Sequence, residues 1–141
     1  YFLLLENHFL IDLFFYTMEN SLSKIVVDTC YQVHVGLGPG LFESVYDEVL
    51  YYELCRQGLR VKRQYPVPIV WNAVKMELGF RADLVVEDLV LIEIKSVKML
   101  ELVHKKQLMT YLKLTGFKLG LLVNFNEALI KNGIVRIVNN L

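Results

Sequence analysis

The chain lacks an excess of charge of either sign: 15 Lys and Arg stand against 15 Asp and Glu, for a formal net charge of zero. Without a global field to attract nucleic acid or an anionic surface, phosphate recognition must come from a local patch or a bound ion. Cysteine is scarce as well. Cys30 and Cys55 are the two present; both fall in helical pattern, and neither has a second thiol or a histidine at zinc-ligand spacing. This argues against a disulfide scaffold or zinc finger and for buried, reduced thiols in a cytoplasmic protein. Proline is limited to three residues, and no repeat or linker divides the chain, so 141 residues fit one domain. An apolar content of 55% with 21% charged residues argues against disorder. The glycine-rich stretch Gly36-Leu37-Gly38-Pro39-Gly40 has no Gly-Lys-Ser/Thr after it, and acids follow instead, which argues against a nucleotide P-loop.

Basic residues are missing altogether before Lys24. The almost wholly apolar leader, residues 1–17, therefore lacks the positive region of a secretory signal, and Glu6 and Asp12 spoil it as a membrane span. Met18 is the first methionine, so the natural protein is expected to start there, with a single domain over 18–141. The alternative is an extra helix or strand packed on that domain. Mass spectrometry of protein made from the native gene decides between them, since a peptide spanning Tyr16-Thr17-Met18 rules out the later start.

Helical spacing of Ile25, Val26, Thr29, Cys30 and Val33 predicts a first helix over Ser21–Val35, capped by Ser21 or Ser23 and ended by Gly36 and Gly38. A second helix follows from Leu41, with acids early and Gly58 as its stop. Arg60–Trp71 reads as an edge strand, with Pro66 and Pro68 in it and the basic cluster Arg60, Lys62 and Arg63 at its start. After the hairpin described next, Leu102–Leu114 is helical and Gly120–Phe125 a buried strand. Asn126 caps a short helix to Ile130, and Ile134–Val138 is a final strand.

The stretch Arg81–Lys98 is where charge interrupts β-type sequence. Alternation places Leu84, Val86, Val90, Ile92 and Ile94 on one face and Asp83, Glu93 and Lys95 on the other. A three-residue turn at Glu87-Asp88-Leu89 sets Val86 against Val90, Val85 against Leu91, and Asp83 against Glu93. Two opposed carboxylates repel unless a cation sits between them. Mg²⁺ or Mn²⁺ takes oxygen ligands from one or two carboxylates and leaves room for substrate phosphate. Lys95, on the same face, can neutralise, orient or help deprotonate an attacking water. Arg81 shares that face and can pair with a carboxylate or a phosphate.

An Asp followed about ten residues later by Glu-x-Lys on a paired strand resembles the active-site signature of the PD-(D/E)XK nuclease superfamily. Gly40-Leu41-Phe42-Glu43-Ser44-Val45-Tyr46 resembles the Gly-x-x-Glu-x-x-Tyr motif of the GxxExxY family, a group within that superfamily, and the likeness runs from about Ser21 to Asn139. The resemblance implies an α/β restriction-endonuclease-like core, a mixed central sheet flanked by helices. It adds Glu43 and the Ile94 carbonyl to Asp83 and Glu93 as metal ligands. It also matches Gln107 and Tyr111, four apart on the helix after Glu-x-Lys, to a Gln-x-x-x-Tyr helix that orients Lys95 or a phosphate and contacts the substrate strand. For Tyr46 a core aromatic is the better reading. The function this implies is metal-dependent phosphodiester hydrolysis in DNA or RNA. Its competitor is an inactive nuclease-fold module binding nucleic acid or protein, and a membrane-associated role ranks last.

Overall fold

A computed structural model describes the backbone of residues 2–141 and the side chains of 18–76 and 79–141. Its elements are helices α1 Phe2–Leu37, α2 Glu43–Arg56 and α3 Leu102–Thr115, and strands β1 Val61–Trp71, β2 Val74–Val86, β3 Val90–Lys95, β4 Leu119–Asn124 and β5 Ile134–Val138. Helix α1 starts well before the expected Ser21, because neither Gly nor Pro interrupts the chain ahead of Gly36. Ser21 and Ser23 therefore lie inside the helix and cap nothing. The packing of the leader's side chains lies outside the described residues. At the other end, Gly38 takes φ +71° and donates its amide to the His34 carbonyl at 2.8 Å, a glycine stop of the expected kind.

The strands form one sheet in the order β1-β2-β3-β4-β5. Neighbours are antiparallel except β3 and β4, which run parallel with α3 as the crossover between them. This is the expected α/β architecture, a mixed sheet with helices on both faces. On one face α1 and α2 pack Val26, Cys30, Leu50 and Leu54 against Leu84, Ile92, Leu121 and Val123. On the other, α3 packs Leu108, Tyr111 and Leu112 against Val85, Leu91 and Leu122. Strand β4, apolar up to its last residue Asn124, is buried throughout.

The β2–β3 hairpin has the predicted register, Val86 against Val90 and Val85 against Leu91. Its second face is not polar as a whole, since Val85 and Leu91 are buried beneath α3. Strand β1 changes sides at Gln64, whose φ is +49°. Arg63 reaches Asp47 and Glu48 on α2, whereas Tyr65 and Val67 join the α3 cluster, a break in strict alternation that the left-handed residue produces. The short helix expected from Asn126 is instead a 3-10 turn over Ile130–Gly133. Asn126 does not cap it; its side-chain amide donates to the Val97 carbonyl at 3.2 Å. Cys30 is buried as expected, but Cys55 is only half-buried, and both thiols are free. Among the described residues no helix is long and apolar enough to cross a membrane.

Candidate active site

The β2–β3 ladder ends at Leu84 and Ile92. One step further the strands are joined by side chains: the Asp83 amide donates to Glu93 Oε1 at 3.1 Å, and the Ile94 amide donates to Asp83 Oδ2 at 2.8 Å. Each carboxylate thus receives an N–H from the opposing strand, which is how two like charges remain side by side at the mouth of the sheet. Glu93 is only 5% exposed. Burial, reinforced by the neighbouring Asp83 charge, pushes the Glu93 carboxyl up to about 8. Burial likewise raises Asp83 to about 6; the Ile94 amide opposes the rise, while the charges of Asp47 and Glu43 add to it. Lys95, half-buried at the end of β3 beside Asn124 of β4, lowers both.

The glycine-rich loop brings Glu43 to this place. Gly40 takes φ +95°, and Tyr46 fixes the loop by donating its hydroxyl to the Gly38 carbonyl at 2.6 Å while accepting the Leu41 amide at 3.1 Å. The Tyr46 ring is buried and stacked on Phe125, with centroids 4.6 Å apart. It is the expected core aromatic, and it also works as a clasp. Ser96, just past Lys95, donates its hydroxyl to the Leu41 carbonyl at 2.6 Å and its amide to Glu43 Oε1 at 3.3 Å. Glu43 then shares a cleft of about 340 Å³ with Asp47, Arg63, Gln64, Asp83 and Ile94.

From the other face α3 supplies Gln107 and Tyr111. Burial, with the charges of Glu93 and Asp83, pushes the Tyr111 hydroxyl up to about 12, partly offset by hydrogen bonding from Gln107. The fold therefore brings Tyr111 within the influence of the acids, but as a buried group packed on Phe80. Gln107 is the more accessible of the two. Arg81 is exposed on β2 and donates to the Gln64 carbonyl at 3.3 Å, beside the Asp83 cleft. His104 serves its own helix, where its Nδ1 accepts the Glu101 amide at 2.9 Å in a capping box that starts α3.

Several residues of the site carried no weight in the sequence. Asp47, buried and paired with Arg63 at 2.7 Å, lies four residues after Glu43, and that spacing on one helix face was the available signal. Asn124 had none: it is buried in β4, where its side chain both accepts the Val97 amide at 3.0 Å and donates to the Val97 carbonyl at 2.9 Å, pinning the segment after Lys95. Among the described residues no three His, Cys, Asp or Glu side chains close into a metal cage. A hard cation held by one or two carboxylates, a main-chain carbonyl and water needs no such cage, and buried Glu93 beside half-buried Asp83 offers oxygen atoms of the type such an ion takes.

A family model described as the PD-(D/E)XK nuclease superfamily matches residues 20–137, most of the chain. No curated protein and no solved structure matches it.

Proposed function

The chain belongs to the PD-(D/E)XK nuclease superfamily, and from that premise we propose that it is a nuclease hydrolysing phosphodiester bonds in DNA or RNA with Mg²⁺ or Mn²⁺. The observation that carries this reading is the reciprocal bonding of Asp83 and Glu93 across the end of β2–β3, with Lys95 as the cation beside them. A buried carboxylate such as Glu93, held beside the half-buried carboxylate of Asp83, is costly to keep unless it serves the chemistry. Asp83, Glu93 and the Ile94 carbonyl would hold the ion, with Glu43 tuning the site from the rim. When bound, such an ion supplies positive charge to the phosphate and lowers the pKa of the attacking water.

The chain's own groups do the remainder. Lys95 positions the attacking water and holds its proton balance against the two acids. Gln107 and Arg81 take phosphate oxygens, and Tyr111, buried behind Gln107, sets that side chain's angle. The Gly40–Tyr46 segment, as a Gly-x-x-Glu-x-x-Tyr motif, supports placing the chain in the GxxExxY group: its glycine and tyrosine shape the loop that delivers Glu43.

Calorimetry with Mg²⁺ or Mn²⁺, run beside cleavage of mixed DNA and RNA, tests the proposal. Metal binding is expected to be lost in Asp83→Ala and Glu93→Ala, and cleavage to fall roughly a hundredfold or more in Lys95→Ala. An absence of binding at millimolar metal would instead favour a nuclease-fold binding module.

A further inference from the structure

The dense basic cluster at the start of β1 is occupied. Arg60 pairs with Glu87 at 2.9 Å, Lys62 with Asp88 at 2.8 Å, and Arg63 with Asp47 and Glu48 at 2.7 and 2.8 Å. With a neutral chain and these cations already paired, a duplex, whose binding depends on many phosphate contacts, is poorly served.

The outer part of the β1–β2 hairpin offers something different. It turns at Asn72 and Ala73, both at positive φ, and presents Trp71 69% exposed and Phe80 50% exposed, with Val70, Val74 and Met76 also exposed. Along it runs a cleft of about 560 Å³ lined by Tyr65, Met76 and Phe80 together with the cations Lys75 and Arg81. Arg81 is hydrogen-bonded to the neutral Gln64 carbonyl, which leaves its charge intact. The cleft adjoins the one that holds Asp83: Arg81, two residues from Asp83, donates to the carbonyl of Gln64, which lines that second cleft, and the Phe80 ring lies 5.5 Å from that of buried Tyr111. A further exposed ring, Phe42 at 82%, shares a cleft with Glu43 and Ser96.

Aromatic rings with a few cations between them suit a strand whose bases are unstacked, because every base has a face to stack and few phosphates need neutralising. We propose that the β1–β2 hairpin is a stacking surface for single-stranded nucleic acid, leading the strand past Phe80 and Arg81 to Asp83 and Glu93. This deepens the nuclease reading of that site and rests on it.

Trp71 is the single tryptophan of the chain, so its emission reports on this surface alone. Titration of the full chain in EDTA with oligo-dT of about twenty nucleotides is expected to quench that emission saturably, and the matching duplex to quench it far less. Labelled oligo-dT should bind Trp71→Ala roughly five- to a hundredfold more weakly, with Trp71→Phe restoring most of the affinity. Quenching without cleavage in Mg²⁺ would overturn the nuclease reading while upholding the surface. Cleavage with no quenching by single strands, or equal binding of duplex, would overturn the surface and leave the nuclease reading standing. A protein partner lost in Trp71→Ala, with no response to oligonucleotide, would also overturn it.

Discussion

Asp83 and Glu93 each sit where an ordinary carboxylate would be uncomfortable, and what tempers that discomfort is one amide apiece and the Lys95 ammonium. Replacing Lys95 by Ala removes the side-chain charge that lowers both carboxyls, so both should titrate at still higher pH in carbon-detected NMR; unchanged titration would place Lys95 too far away to matter. Tyr46→Phe keeps the stack on Phe125 but deletes the hydroxyl between Gly38 and Leu41. The expected cost is about 1 kcal/mol in urea unfolding, with a larger proportional fall in nuclease activity because the loop that carries Glu43 loses its clasp. Activity falling only in step with stability would remove the clasp's part in the site.

Helix α3 faces the site through Gln107 and Tyr111, and its start depends on the Glu101–His104 box. His104→Ala should cost about 1 kcal/mol of stability, visible as a lower urea midpoint with the denaturant slope unchanged. A variant that kept full stability but lost substrate affinity would instead show that His104 contacts substrate and does not serve its helix. On the β1–β2 hairpin the tight point is Gly79, where an added Cβ would come within 2.4 Å of the Val67 carbonyl, next to the register shift between Val67 and Ile69. A backbone atom cannot yield as a side-chain tip can. Gly79→Ala should therefore cost about 1–3 kcal/mol and speed amide exchange in the outer strands of this hairpin ahead of β3 and β4.

At the scale of the whole molecule the raised carboxyls link folding to pH. A carboxyl at about 8 in the fold against 4.5 unfolded binds its proton more tightly when folded. Asp83 does the same between its ordinary 3.8 and about 6. The folded state thus holds more protons across this window, so stability of the metal-free protein should decline as pH rises from about 4 to 8. Thermal unfolding across that range, compared with Asp83→Asn and Glu93→Gln, measures it. Flatter profiles in the variants are expected, and a wild-type profile rising through the window would mean that the two carboxyls are not raised. If Asp83 and Glu93 hold the ion as proposed, divalent metal should stabilise more at pH 8 than at pH 5, because both must first lose their protons.

Periodicity and turn length sufficed for the β2–β3 register, because a one-residue slip would have carried Leu84, Val86, Val90 and Ile92 off the core face. The same local information placed the α/β order of elements and put Asp83 opposite Glu93. It missed the true start of α1, since a capping serine and an interior serine look alike when no breaker precedes them. What no local pattern contains is the meeting of distant segments. The left-handed turn at Gln64 sends Arg63 to Asp47; Ser96 closes on Leu41 and Glu43; Asn124 holds Val97; and Tyr111 is buried against Phe80. Spacing along one element decides which side chains share a face. Only packing of the elements decides which faces meet, and with that the burial that raises Asp83 and Glu93 and makes their pairing a candidate site.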